Sequence, residues 1–125
     1  MNVNDLTYAI RAAAFAVHTE LGPGLLESAY EDCMVYELRL RGFVVASQVK
    51  LPLKYKNLEV GNGYRVDIIV ENRVLLELKA VAEVLPIHHA QLLAYLRLSG
   101  LSVGLLMNFN VHRMRDGIKR LVHNL

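Results

Sequence analysis

Tyr64-Arg65-Val66-Asp67-Ile68-Ile69-Val70-Glu71-Asn72-Arg73-Val74-Leu75-Leu76-Glu77-Leu78-Lys79 decides how this 125-residue chain folds. Two β-rich runs, 64–70 and 74–80, flank the polar triplet Glu71-Asn72-Arg73, and the arrangement reads as a hairpin. A symmetric hairpin centred on Asn72 sets Val70 opposite Val74 and Asp67 opposite Glu77. Because side chains alternate along a strand, Asp67, Ile69, Leu75, Glu77 and Lys79 share one face. Val66, Ile68, Val70, Val74, Leu76 and Leu78 make the other face, which is uniformly apolar and must be core. Two facing carboxylates repel and destabilise a hairpin. Lys79 offers one compensating charge. A divalent cation compensates better, and oxygen-only ligation favours Mg²⁺ or Mn²⁺ over zinc. The plain alternative is an exposed hairpin with a Glu–Lys pair on its wet side.

Outward from the hairpin the pattern changes period. Asn4 is a candidate cap for a first helix carrying Leu6, Ile10, Ala13, Ala14, Val17 and Leu21, stopped by Gly22-Pro23-Gly24. A second helix is expected from about Leu26 to Arg41, with Gly42 as its C-terminal stop. Phe43 to Leu53 reads as a strand, Tyr55 to Val60 as a short extension, and Gly61-Asn62-Gly63 as a turn. Pro86 suits the first turn of a helix that ends at Gly100. Ser102 to Phe109, nearly all apolar, reads as a strand buried on both faces. A last short helix is expected over about Arg113 to Val122. The order makes an α/β chain with a mixed four- to five-stranded sheet flanked by helices, in one domain over 1–125. A strand–helix–strand crossover makes the third and last strands parallel.

Two further polar sets accompany the hairpin. Glu27 and Tyr30 lie three apart at the start of the second helix, where Glu27 also has an ordinary role against the helix dipole. Gln91 and Tyr95 are spaced i and i+4 on the third helix, with His88 a turn earlier, and a polar edge on an otherwise packed helix explains them equally well.

Composition narrows the classes. Apolar residues make up 54% of the chain, which argues against disorder and leaves apolar surface for a homo-oligomer interface. No apolar run approaches the ~20 residues of a membrane span. No basic segment followed by an apolar block opens the chain, so a cytoplasmic protein is expected. Cys33 is the single cysteine, so neither an intrachain disulfide nor a cysteine-rich zinc site can form, and its apolar neighbours make it a small core residue. His18, His88, His89, His112 and His123 contain no i, i+4 pair for a helix-borne metal site. A net charge of +2 is too balanced to mark a nucleic-acid binder. Arg113, Arg115, Lys119 and Arg120 meet only Asp116, either as a solvated helix face or as a phosphate-binding patch.

The stretch Gly24-Leu25-Leu26-Glu27-Ser28-Ala29-Tyr30 resembles the signature of the GxxExxY protein family. The resemblance continues through the preceding 18–24 segment, Tyr64 to Asp67, Leu76 to Ala80, His89 to Arg97, Gly104 to Asn110 and Gly117-Ile118-Lys119. That family looks like a compact branch of the PD-(D/E)xK nuclease superfamily, which implies an αβββαβ restriction-endonuclease-like core. By the resemblance Asp67 is the isolated aspartate of the motif, and Glu77 with Lys79 is its E-x-K. Glu27 matches an extra helix carboxylate that binds or tunes a metal, and Gln91 with Tyr95 matches a Q-x-x-x-Y motif that positions substrate. Val66 stands where many members carry proline. The implied activity is Mg²⁺- or Mn²⁺-dependent hydrolysis of DNA, or of RNA. Asp67, Glu77 and Glu27 are then the metal ligands, with the Leu78 carbonyl as a further donor. Lys79 acts on the attacking water, and Tyr30, Gln91 and Tyr95 face the substrate. The alternative is a non-catalytic nucleic-acid-binding or homo-oligomeric assembly protein that keeps the nuclease fold.

Overall fold

A three-residue loop, Glu71 to Arg73, joins β4 (Tyr64–Val70) to β5 (Val74–Lys79). The register follows the symmetric expectation: Val70 pairs with Val74, Ile69 with Leu75 and Ile68 with Leu76. Glu71 and Asn72 take left-handed φ values of 53° and 52°, as a tight reversal requires. The computed structural model describes residues 1–61 and 63–125, so the Gly61-Asn62-Gly63 turn falls partly outside the described residues.

Among the described residues five elements precede this hairpin. α1 (Val3–Leu21) is capped by the side chain of Asn2, which accepts from the Asp5 amide at 2.8 Å. Asn4, expected as the cap, instead accepts from Arg120. α2 (Glu27–Leu40) ends where the Gly42 amide donates back to the Arg39 carbonyl. β1 (Val45–Leu51) lies antiparallel to β4 and stops at Pro52. The two-residue strands β2 (Lys54–Tyr55) and β3 (Leu58–Glu59) form a separate ribbon in place of the expected extension.

After the hairpin, α3 (Pro86–Ser99) closes on a left-handed Gly100. β6 (Val103–Asn108) then runs parallel to β5 and is buried at every position. The expected last helix is not there. Met114–Gly117 is a single 3-10 turn, and β7 (Ile118–Val122) pairs antiparallel with β6. A strand as buried as β6 cannot leave one row of amides and carbonyls unpaired, so this hydrogen-bonding demand overrides the local helical pattern. The sheet order is β1-β4-β5-β6-β7.

Two cores sandwich the sheet. One packs Ile10, Ala14, Tyr30 and Met34 of α1 and α2 against Ile68, Val70, Leu76 and Leu105. The other packs Leu92, Tyr95 and Leu96 of α3 against Ile69, Leu75 and Leu106. The alternation expected of β4 breaks once: Val66 joins the second core, while Ile68 and Val70 face the first. β1 makes the matching change, with Val45 in one core and Val49 and Leu51 in the other. Gln48, between them, has φ 51° and lies in β1 across from Asp67. A left-handed residue in a strand reorients the chain that follows it, and the changed parity of Val66 is the consequence.

Gly117 fixes the start of β7. A Cβ there would collide with the Asn108 carbonyl oxygen and press on Val111 Cγ2 at 3.1 Å. We expect Gly117→Ala to cost about 1–3 kcal/mol and to lower the melting temperature by roughly 5–10 °C. Gly61→Ala, which meets nothing within 4 Å, serves as the control in the same thermal melts.

Candidate active site

The β4–β5 ladder stops short of Asp67 and Glu77. In its place each acid binds the other strand's backbone. Glu77 Oε1 accepts the Asp67 amide at 3.0 Å, and Asp67 Oδ2 accepts the Leu78 amide at 2.8 Å. Two ladder bonds are thus replaced by a reciprocal clamp that holds both carboxylates at the point where the strands part. Each keeps a second oxygen. Among the described residues Glu77 Oε2 has no protein hydrogen bond, and no buried side-chain oxygen lacks one, so Oε2 is not sealed from solvent.

Glu77 is 5% exposed. Its burial, then the charge of Asp67, push its pKa up to about 8, against the opposing pull of the Asp67 amide and Lys79. Lys79, half-buried, lies two residues further along the same strand, and its carbonyl accepts the Phe109 amide at 2.9 Å. Glu27 opens α2 at the rim of the site. Burial raises its pKa, Lys79 lowers it and Asp67 raises it, so both of those charges are within its reach.

Tyr95 projects from α3 and is 6% exposed. Its hydroxyl accepts from the Gln91 amide at 2.9 Å. Burial and then the Glu77 charge raise its pKa, which the Gln91 bond opposes. Gln91, Tyr95 and Tyr64 line a cleft of about 440 Å³ with Leu53 and Arg97. The structure thus brings Asp67, Glu77, Lys79, Glu27, Gln91 and Tyr95 into one electrostatic neighbourhood.

Tyr30 stands apart from them. It is fully buried and stacks on Phe109 with ring centroids 4.6 Å apart. Its hydroxyl donates to the Gly22 carbonyl at 2.6 Å and accepts the Leu25 amide at 3.1 Å. Both hydrogen-bonding functions are taken by the Gly22–Leu25 loop, so the expected substrate contact is replaced by a brace beneath Glu27.

Two residues of the site escaped the sequence reading. Glu31, one turn after Glu27, accepts the Gln48 amide nitrogen at 2.9 and 3.0 Å, and the same nitrogen lies 3.4 Å from Asp67 Oδ1. Burial raises the Glu31 pKa, the Gln48 bond lowers it, and Asp67 raises it again. The i, i+4 spacing from Glu27 was the available signal for Glu31. Gln48 gave none, because its placement depends on its left-handed backbone. Such a conformation in a non-glycine residue costs on the order of 1–3 kcal/mol, and here it turns an amide onto two acids.

The donors suit a hard cation. Asp67 and Glu77 offer carboxylate oxygens, and their mutual repulsion is what a divalent charge relieves. Among the described residues no three His, Cys, Asp or Glu side chains form a ready metal cluster.

A family model described as the PD-(D/E)XK nuclease superfamily matches residues 4–121. The chain belongs to that superfamily. Searches for curated proteins and solved structures gave no match. Enzymes of the PD-(D/E)XK superfamily generally use divalent metal ions on nucleic acids. No helix among the described residues is long and apolar enough to cross a membrane.

The raised pKa of Glu77 has a consequence for stability without metal. The folded protein holds a proton that the unfolded chain releases, so stability is fully present below about pH 4.5 and falls as the pH rises towards about 8. Denaturant midpoints in chelator should therefore decline across that window. Glu77→Gln should flatten the decline and be the more stable protein at pH 8. Parallel curves for the two proteins would show that Glu77 is not the proton-holding group.

Proposed function

We propose that this protein is a metal-dependent nuclease of the GxxExxY branch, acting as one domain over 1–125 on the phosphodiester bonds of DNA. The observation that carries the reading is the interlocked pair Asp67 and Glu77 with Lys79 on the same strand as Glu77. Asp67 and Glu77 would hold one Mg²⁺ or Mn²⁺ ion, with the Leu78 carbonyl as a further donor; Glu27, expected as a third ligand, forms no three-carboxylate cluster with them and would act on the ion's water shell from the rim. When bound, the cation supplies Lewis-acid polarisation and neutralises charge at the phosphate.

The chain's own groups do the rest. Lys79 positions the attacking water and offsets the negative charge that builds on the phosphoryl oxygens. The water oxygen bonds to phosphorus as the bond from phosphorus to the leaving sugar oxygen breaks, and a proton passes to that oxygen. Gln48, held by Glu31, fixes the Asp67 carboxylate. The Gln91–Tyr95 pair lines the approach from α3 and orients the strand. The clamp keeps both acids on rigid strands, which is the positioning that in-line displacement requires.

Lys79→Ala should lower turnover of a DNA substrate by about 10²–10³-fold while leaving the melting temperature unchanged. Arg73→Ala, at the hairpin tip, should cut at the wild-type rate. Activity that survives Lys79→Ala would remove the lysine from the mechanism. A wild-type protein that cuts neither DNA nor RNA with any divalent ion would leave the non-catalytic reading.

Metal should also stabilise the folded chain, by about 2.7 kcal/mol at a hundredfold excess over its dissociation constant. For a chain of this size that is a rise in melting temperature of roughly 10 °C. Asp67→Asn should abolish the rise, and an undiminished rise in that variant would place the cation elsewhere.

A further inference from the structure

Beside the acidic site lies a cleft of about 510 Å³ between the end of α1 and the segment 111–115. Its wall carries Arg113, Arg115, His112 and Thr19, and no carboxylate lines it. Arg113 is exposed and, among the described residues, makes no ion pair or side-chain hydrogen bond. Arg115 faces only Asp116, at 3.8 Å with both side chains about two-thirds exposed, a pairing too wet to neutralise it. The cleft at Lys50 and Lys54 differs in this respect, because the carboxylate of Glu59 lines it.

Both walls of the basic cleft are tied to the acidic site. The Phe109 amide donates to the Lys79 carbonyl, which anchors the base of the 109–115 segment beside the lysine. His18 Nε2 bonds the Val111 carbonyl at 2.8 Å and joins that segment to α1. Tyr30 holds the Gly22–Leu25 loop and stacks on Phe109, linking the other wall to the start of α2 at Glu27. Arg113 lies four residues beyond Phe109, at most about 14 Å away at full extension. That bound keeps Arg113 within a few nucleotide lengths of Lys79.

We propose that this cleft binds the backbone phosphates of the nucleic-acid strand that leaves the Asp67–Glu77 site, with Arg113 and Arg115 as the phosphate contacts. The proposal rests on the nuclease reading for its substrate and adds to it where the strand runs. A free Arg113 guanidinium and an Arg115 held only by a solvent-exposed Asp116 are suited to phosphodiester oxygens, which guanidinium groups meet through two parallel N–H donors. Such contacts carry no sequence information, so the cleft gives register and affinity without specificity.

The test measures the affinity of the full-length chain for a labelled 20-nucleotide strand as KCl is raised, for wild type and for Arg113→Ala/Arg115→Ala. It also follows hydrolysis of bis(4-nitrophenyl) phosphate with Mn²⁺, a substrate too small to reach the cleft. Each lost phosphate contact should reduce the slope of log affinity against log salt by about 0.7, so the double variant should lose roughly 1.4. Its small-substrate turnover should stay within about twofold of wild type. Arg113→Lys/Arg115→Lys keeps the charge and should keep most of the slope, while Arg41→Ala, whose arginine pairs with Glu37, should leave it unchanged. An alanine double variant with the wild-type slope overturns the cleft and leaves the nuclease reading standing. Strand binding with the arginine-dependent slope but no hydrolysis of either substrate supports the cleft and overturns the nuclease reading. A wild-type chain that binds no strand at any salt concentration overturns the cleft.

Discussion

The exchange of two backbone bonds for two side-chain bonds at Asp67 and Glu77 is the constraint on which the site depends. The β4–β5 pairing ends at Ile68 and Leu76, just before the amides of Asp67 and Leu78. Here the acids take those amides themselves. Each carboxylate is therefore fixed by the strand opposite it, and the strands part where a ligand has to enter. The cost is a buried glutamate whose charge is opposed by its neighbour, which pushes its pKa up to about 8.

The surrounding fold serves that exchange. β5 lies in the middle of the sheet between β4 and β6, so Glu77 and Lys79 stand on the strand least able to shift. α2 brings Glu27 and Glu31 to one side, and α3 brings Gln91 and Tyr95 from the other. Asn108, directly beside Lys79 on β6, holds the segment that follows β5 through bonds to both the amide and the carbonyl of Val81. It is 4% exposed with its amide fully engaged, so the lysine's strand is pinned at its far end as well.

Much of this was legible in the sequence, and the part that was not has physical reasons. The hairpin register was readable because a three-residue loop and a period of two leave few alternatives. The three long helices and the buried β6 announced themselves through apolar periodicity and glycine stops. β7 did not, because its conformation answers the bonding demand of β6 rather than its own residues. Tyr30 was misplaced by a rule that is correct on average. On a helix, positions three apart differ by about 60° and positions four apart by about 40°, enough to set Tyr30 in the core while Glu31 stays near Glu27 at the rim. Gln48 and the crossing of Val66 follow from one left-handed residue that nothing in the local sequence marks.

The account is tested most directly by anomalous diffraction from crystals of the protein soaked in Mn²⁺. It predicts a single strong peak in contact with both Asp67 and Glu77, on the side of Glu77 Oε2 and within reach of the Leu78 carbonyl. Manganese bound elsewhere, with the two carboxylates still holding only each other's backbone, would contradict it.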